Sequence, residues 1–519
     1  MTALSDHKTI GKLFMALAAM GLVVGIALNL PVGPQAGSAR GFQGLFSASG
    51  IILMFVFVLP TWLGIASAVG PLQVGARRVA FPRAHSFGFG LFAAGAAMVV
   101  AAPLVSDDVR TWNLGVAMPS GAEASGPGPD LLILGLILVA VAAVATMVNI
   151  LTTLLQLRTP AMALRRMPMF AWSTVVSSSV MVLALPVLIA TLVMLFIDSH
   201  YGGQTFGGDE GGNPLMGPRL FWFGVTPFAW SLVIASLGAM AEIVPVFARR
   251  ALVSPARSAG ALGALGVLAF AGWGAEVTSL GSARVLLALG ALAALAPVAS
   301  VVLNLLATIG GEASKESSQP RDLKAMPVLA VLGGLTVVGL ALLAGAVAAL
   351  NATGPSRAGY FGPATHHLLY FGIPTVASVA ATHYWAPKLW GRHLNDSVGK
   401  LSLAALIGGL HVTFLPLLVL GFSEVTGGAA IEPGPLLGIS NLGTYLLGLG
   451  AVLFAVNLLT SAVAGWGRQA GVDPWGGHTL EWATTSPPPP HNFDLIPAIV
   501  SATPLLDPPA VAELEAANS

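Results

Sequence analysis

Cysteine is absent from the 519 residues, which leaves histidine as the strongest metal ligand, and there are ten of them. Two are adjacent in "FGPATHHLLY", residues 361–370, where an apolar segment begins. Imidazole binds haem iron and copper directly, and the protein tunes a haem through its axial ligands. On a helix His366 and His367 point about 100° apart, so one metal cannot take both. His367 is a candidate haem ligand or a histidine satisfied by a neighbouring helix; His366 then faces lipid, a neighbour or water. His411, in "LIGGLHVTFLPLLVLG", either packs among small residues and bonds to another helix or touches a cofactor. His383 stands beside Tyr384 and Trp385, an interfacial aromatic belt. Glu276 is a neutral, hydrogen-bonded group or half of a proton path. Glu242, close to Arg249 and Arg250, reads as a helix-end group at the interface.

These residues sit in a chain whose solvent is largely lipid. It is 55% hydrophobic and 9% charged, too little charge to cover a water-facing surface. Disulfides, thiolate metal sites and cysteine nucleophiles are excluded. A net charge of +1 without a basic run gives no groove for nucleic acid. Apolar runs long enough to cross a bilayer fall at about 12–31, 46–70, 88–106, 130–153, 171–196, 220–246, 258–280, 285–309, 326–350, 363–387, 401–421 and 438–464. The N-terminal basic flank and apolar run read as the first of these twelve spans rather than as a removable signal. With twelve spans, 18 of the 23 Lys and Arg residues fall on the side that holds both termini. That asymmetry predicts cytoplasmic termini in a plasma or inner membrane. The longest polar interruptions, 107–129 and 197–219, read as external loops. Residues 1–485 form the expected twelve-span domain. The Pro-rich segment 486–519 is expected to form a cytoplasmic tail that lies along the cytoplasmic face or a partner.

Ordered blocks along the chain carry a family resemblance. "DHKTIG", "PLQVGARRVAFPR", "RTPAMALRRMPMFAW", "FWFG…PFAW…EIVPVFAR", "HYWAPKLWG", "VTFLPLLVLG" and "WGGHTLEWATTSPPPPHNFDLIP" cover about residues 5 to 500. In this order they resemble subunit I of the haem-copper oxidases, cytochrome c oxidase type. The resemblance implies an all-α, polytopic bundle of twelve helices. It also implies a low-spin haem held by histidines of helices two and ten. A high-spin haem would hang on a second helix-ten histidine, with copper on three histidines of helices six and seven. Oxygen is reduced between the high-spin iron and the copper. Partners would be subunits II and III of a respiratory complex.

Carried over position by position, the ligands are lost. "LFSASG" puts Ser49 at the helix-two ligand. Counting back from "HYWAPK", His367 keeps the second low-spin position, Thr365 takes the high-spin position, and His366 fills the intervening, normally aromatic site. The family's "HPEVY" reads "TPFAW": Thr226 replaces a copper histidine, Phe228 the proton-relay glutamate and Trp230 the crosslinked tyrosine. Ala275 and Glu276 replace the paired copper histidines, and Val301 stands where a proton-channel lysine is expected. "GFSEVTG" replaces the arginine pair that holds haem propionates, and His411 replaces an asparagine. Thr and Ser do not imitate imidazole on haem iron or copper. The expectation is therefore a non-catalytic, subunit I-like structural or assembly component. It would carry no copper, and at most one residual haem on His367, with His366 or His411 as weaker candidates. The competing readings are an active oxidase with an atypical site and a transporter that uses the emptied core.

Overall fold

The structure is a computed structural model that describes residues 6–30, 47–106, 109, 125–207, 211–276, 283–313, 320–350, 359–426 and 431–518. Most of the 107–129 loop, and Arg40, Arg110, Lys315 and Arg357 of the charge count, lie outside the described residues.

Among the described residues twelve helical rods run in chain order: α1 His7–Ala27, α2 Ala48–Gln73, α3 Pro82–Val105, α4 Pro127–Gln156, α5 Met169–Tyr201 and α6 Met216–Ala248. They continue with α7 Pro255–Glu276, α8 Ala283–Gly310, α9 Met326–Leu350, α10 at 361–390, α11 Asp396–Thr426 and α12 Pro433–Asn457. Ten of these are long and apolar enough to cross a membrane on length and composition alone, α7 and α10 being the other two. α10 carries Thr365, His366, His367, Thr375, Ser378, Thr382 and His383, a polarity it can bear because it is buried nearly throughout. α5 continues past its apolar run to Tyr201, into what the sequence suggests is loop. There the carboxylate of Asp198 accepts the backbone N–H groups of Thr205 and Phe206 at 3.1 and 2.9 Å and turns the chain.

Consecutive rods pack as antiparallel neighbours, and α12 returns to α1, closing the outer ring. Inside that ring stand α2, α6 and α10. Every residue of the apolar windows of α2 and α6 is buried, and α10 touches both. These three rods carry most of the positions in question. α2 and α10 each contain a π-helical stretch, Ile52–Val58 and His367–Gly372. Both stretches end just ahead of a proline, Pro60 and Pro374. Proline donates no N–H and its ring crowds the preceding turn, and a widened turn accommodates both.

Small residues let the rods approach. Gly11 of α1 and Gly64 of α2 face each other so closely that a Cβ on Gly64 would lie 2.7 Å from the Gly11 carbonyl oxygen. Gly64→Leu should therefore cost about 1–3 kcal/mol or more, as overpacking does in tight cores. The check is the thermal unfolding midpoint of the purified protein. Gly90→Leu, where a Cβ would meet nothing within 4 Å, serves as the control and should leave the midpoint unmoved.

One end of the bundle is covered by residues 465–518. Glu481, fully buried, accepts N–H bonds from Gln73 of α2 and Trp385 of α10 at 3.1 and 3.2 Å. Burial pushes its carboxyl above the ordinary range, against these donors. Asn492 reaches the start of α1: its Oδ1 accepts from Lys8 Nζ at 2.8 Å and its Nδ2 donates to the Ala76 carbonyl at 2.8 Å. Thr484 Oγ1 closes the loop by donating to the Asn492 carbonyl at 2.6 Å. Arg249 and Arg166 add bonds to the carbonyls of Trp475 and Ile499.

Candidate functional site

Ser49 opens α2, and its side chain is already engaged. Its hydroxyl donates to Asn29 Oδ1 at 2.9 Å and lies 3.1 Å from the Ser47 hydroxyl. Asn29 follows α1 and is itself fixed by its Nδ2 on the Gly25 carbonyl at 3.2 Å. Thr365, on α10, donates to the Phe361 carbonyl of its own helix at 2.9 Å, the usual back-bond of a buried threonine.

His367 is buried, and its Nδ1–H donates to the Pro363 carbonyl at 2.8 Å, which leaves Nε2 as the lone-pair nitrogen. A haem-binding imidazole uses this same tautomer, with Nε2 facing the iron. The ring packed against it from α11 is Phe414, with centroids 5.3 Å apart and planes at 23°. His411, three residues earlier, bonds through Nδ1 to the Ile407 carbonyl of its own helix at 2.9 Å. This bond is local, where the sequence suggests an interhelical one. His383 does the same with the Val379 carbonyl at 2.8 Å.

Aromatic rings fill the space between the central rods. Phe228 of α6 stacks on Phe55 of α2 with centroids 4.9 Å apart and planes at 19°. A haem inserted between two rings needs about 7 Å between them, one van der Waals contact on each face; this gap is closed. Trp230 of α6 meets the edge of Tyr370 on α10 at 5.6 Å, Tyr370 stacks on His366 at 5.8 Å, and His366 lies 5.6 Å from Trp222 of α6. The string Trp230–Tyr370–His366–Trp222 ties α10 to α6, and His366 belongs to it as an aromatic ring.

Thr226 is buried on α6, and among the described residues its hydroxyl finds no hydrogen-bond partner. A Cβ built on Gly272 of α7 would lie 3.3 Å from both Thr226 Cγ2 and Trp230 Nε1, so the glycine makes room for the two side chains. Ala275 and Glu276 close α7, but their side chains lie outside those described. Val301 is buried in α8. Near the C-terminal end of α6, Glu242 is buried rather than spread at an interface. Its carboxylate accepts the Phe170 N–H at 3.2 Å, one of the unpaired donors in the first turn of α5.

The donor set does not fit two haems and a copper. Ser49 and Thr365 are hydroxyls committed to protein acceptors, Thr226 is one weak oxygen, and Ala275 offers no donor. Among the described residues no three His, Asp or Glu side chains converge as a metal site. Of the mapped ligand positions, His367 keeps an imidazole, in the tautomer that suits haem iron. The partners that decide this, Asn29 for Ser49, Phe55 for Phe228 and Phe414 for His367, were not singled out by sequence. Each comes from a helix or turn remote in the chain, and the only signal is a lone polar or aromatic residue in an apolar run.

The family model for cytochrome c and quinol oxidase polypeptide I matches residues 9–435. The chain is 32% identical to a putative cytochrome c oxidase subunit 1-beta of Streptomyces avermitilis, over 97% of this chain and 91% of that one. It is 30% identical to cytochrome c oxidase subunit 1 of Bacillus subtilis, covering 96% and 81% of the two chains. It is 32% identical to a probable cytochrome c oxidase subunit 1 of Bradyrhizobium diazoefficiens, covering 95% and 76%. With twelve rods in the expected order and likeness along nearly the whole length, the chain belongs to the cytochrome c and quinol oxidase polypeptide I family of membrane proteins.

Proposed function

We propose that this chain is a non-catalytic member of its family, a structural or assembly component of an aerobic respiratory complex. In this reading it packs beside subunit II- and III-like partners and keeps both termini in the cytoplasm. One observation carries the proposal: of the positions that should ligate metal, Ser49 and Thr365 are hydroxyls already bonded to protein acceptors and Ala275 has no donor. Ser49 bonded to Asn29 is the clearest case. The apolar and aromatic groups at Phe228, Trp230 and Val301 remove the proton-handling side chains as well. Oxygen reduction needs the metals and the protons together, so these losses act on separate requirements. His367 is the one mapped ligand position that keeps an imidazole, so this reading allows at most a single haem.

Metal analysis and an absorption spectrum of the purified chain test the cofactor part. The expected result is no copper above background and no more than one haem per chain, lost on His367→Ala. Stoichiometric copper that disappears on Thr226→Ala or Glu276→Gln would overturn the reading.

A further inference from the structure

The segment that covers one end of the bundle brings a second carboxyl to one already buried there. Glu481 is 0% exposed and Glu242 of α6 is 7% exposed. The Thr479 side chain faces both carboxyls, though its hydroxyl completes a hydrogen bond with neither. The two lie close enough for the charge of Glu481 to act on Glu242. Among the described residues neither is ion-paired. α10 faces the pair with Tyr384 and Lys388, and the Lys388 ammonium is spent on the carbonyls of Val472, Thr484 and Thr485. Arg249, on the far side of Tyr384, is spent on the Trp475 carbonyl and acts on His478. Asp473 is taken up by the N–H groups of Trp475 and Gly477. Two neighbouring carboxylates out of water repel each other and lose their hydration, and one proton relieves both penalties.

Unfilled acceptors mark where that proton belongs. Glu481 Oε1 accepts from Gln73 and Trp385, but Glu481 Oε2 has no partner, and neither has Gln73 Oε1. Gln73 is itself 0% exposed, so water does not serve its oxygen from bulk. Two bonded side chains thus leave two acceptors without a donor in a closed space, a costly arrangement. Glu242 already has a donor in the Phe170 N–H. A hydrogen on Glu481 Oε2 turns one of the orphan acceptors into a donor while Oε1 keeps both its bonds.

We propose that Glu242 and Glu481 bind one proton between them, carried on Glu481 Oε2, and that this proton fastens the covering segment to α6. Detaching the segment moves Glu481 into water, where a glutamate ionises above about pH 4.3. Burial holds the attached Glu481 above that range, so the attached state keeps a proton that the detached state gives up. Attachment therefore weakens as pH rises from the ordinary carboxyl range through the raised one.

Infrared spectroscopy of the purified full-length chain in detergent tests the shared proton through the C=O stretch of a protonated carboxyl. At about pH 7 the wild type should show this band, and Glu481→Gln should remove it. In Glu242→Gln the midpoint of its titration should fall by about one pH unit or more, since the repelling neighbour is gone. Asp494→Asn, an exposed carboxyl of the same segment, should leave it unchanged. Limited proteolysis within 470–490 tests the fastening: relative to Glu481→Gln, wild-type cleavage should quicken by up to about tenfold per pH unit across that window. No such band in the wild type, a band that survives Glu481→Gln, or an unmoved midpoint in Glu242→Gln would overturn the shared proton. A pH-independent cleavage ratio would overturn the fastening, and if Glu481→Gln does not purify, the wild-type band and Glu242→Gln still decide the first part.

Discussion

Replacing Lys388 with methionine is expected to detach the covering segment from the end of the bundle. Lys388 is a fully buried cation. Its ammonium donates to the carbonyls of Thr484, Val472 and Thr485 at 2.6, 3.1 and 3.3 Å and sits 5.0 Å from the Trp482 ring centre. Hydrogen bonds from a charged donor contribute about 1.5–3 kcal/mol each, and removing the donor also leaves its acceptors unpaired. A loss of about 3–5 kcal/mol from this contact is therefore reasonable in size. Methionine keeps the volume and the stem, so the change isolates the charge. Limited proteolysis of the detergent-purified protein reads the effect: cleavage within 470–490 should become much faster in Lys388→Met than in the wild type. Unchanged cleavage would mean that Glu481, Trp482 and Asn492 hold the segment without it.

Lys388 also marks the boundary of what the sequence discloses. Read in one dimension it is a basic residue at a helix end, useful for orientation. Its burial depends on a segment about 90 residues further on. The same division runs through the whole chain. Rods such as α4 and α5 are plain in the sequence because a bilayer demands long apolar runs, and lipid-facing helices supply them. α10 is harder, since a rod surrounded by protein is free to carry Thr, Ser and His. The prolines at 60 and 374 are visible as residues, but the widened turns ahead of them follow from how each rod absorbs a missing N–H. The far end of α5 was missed because Asp198 ends the turn through side-chain bonds that leave no periodic trace. The residues at the mapped positions can be read from the sequence, since the blocks around them keep their spacing. What occupies the space around those positions was not. The stack of Phe55 on Phe228 and the bond from Ser49 to Asn29 are pairings between separate rods, and no local pattern encodes them.

Returning histidine to the two lost haem positions is expected to leave turnover at zero. In Ser49→His with Thr365→His, imidazoles replace two hydroxyls, yet the Phe55–Phe228 stack still closes the space between α2 and α6. Thr226 still offers copper one weak oxygen and Ala275 nothing, and Phe228, Trp230 and Val301 still carry no proton-transfer group. A haem spectrum could return in this variant without oxygen reduction, which separates binding from chemistry. The measurement that bears on all of this is oxygen uptake by the isolated wild-type chain, supplied with haem, copper and an electron donor. It must be made in a preparation free of any other haem-copper oxidase. The predicted result is no cyanide-sensitive uptake above the protein-free background. Robust cyanide-sensitive uptake from that preparation would contradict the assignment of this chain as a non-catalytic member of its family.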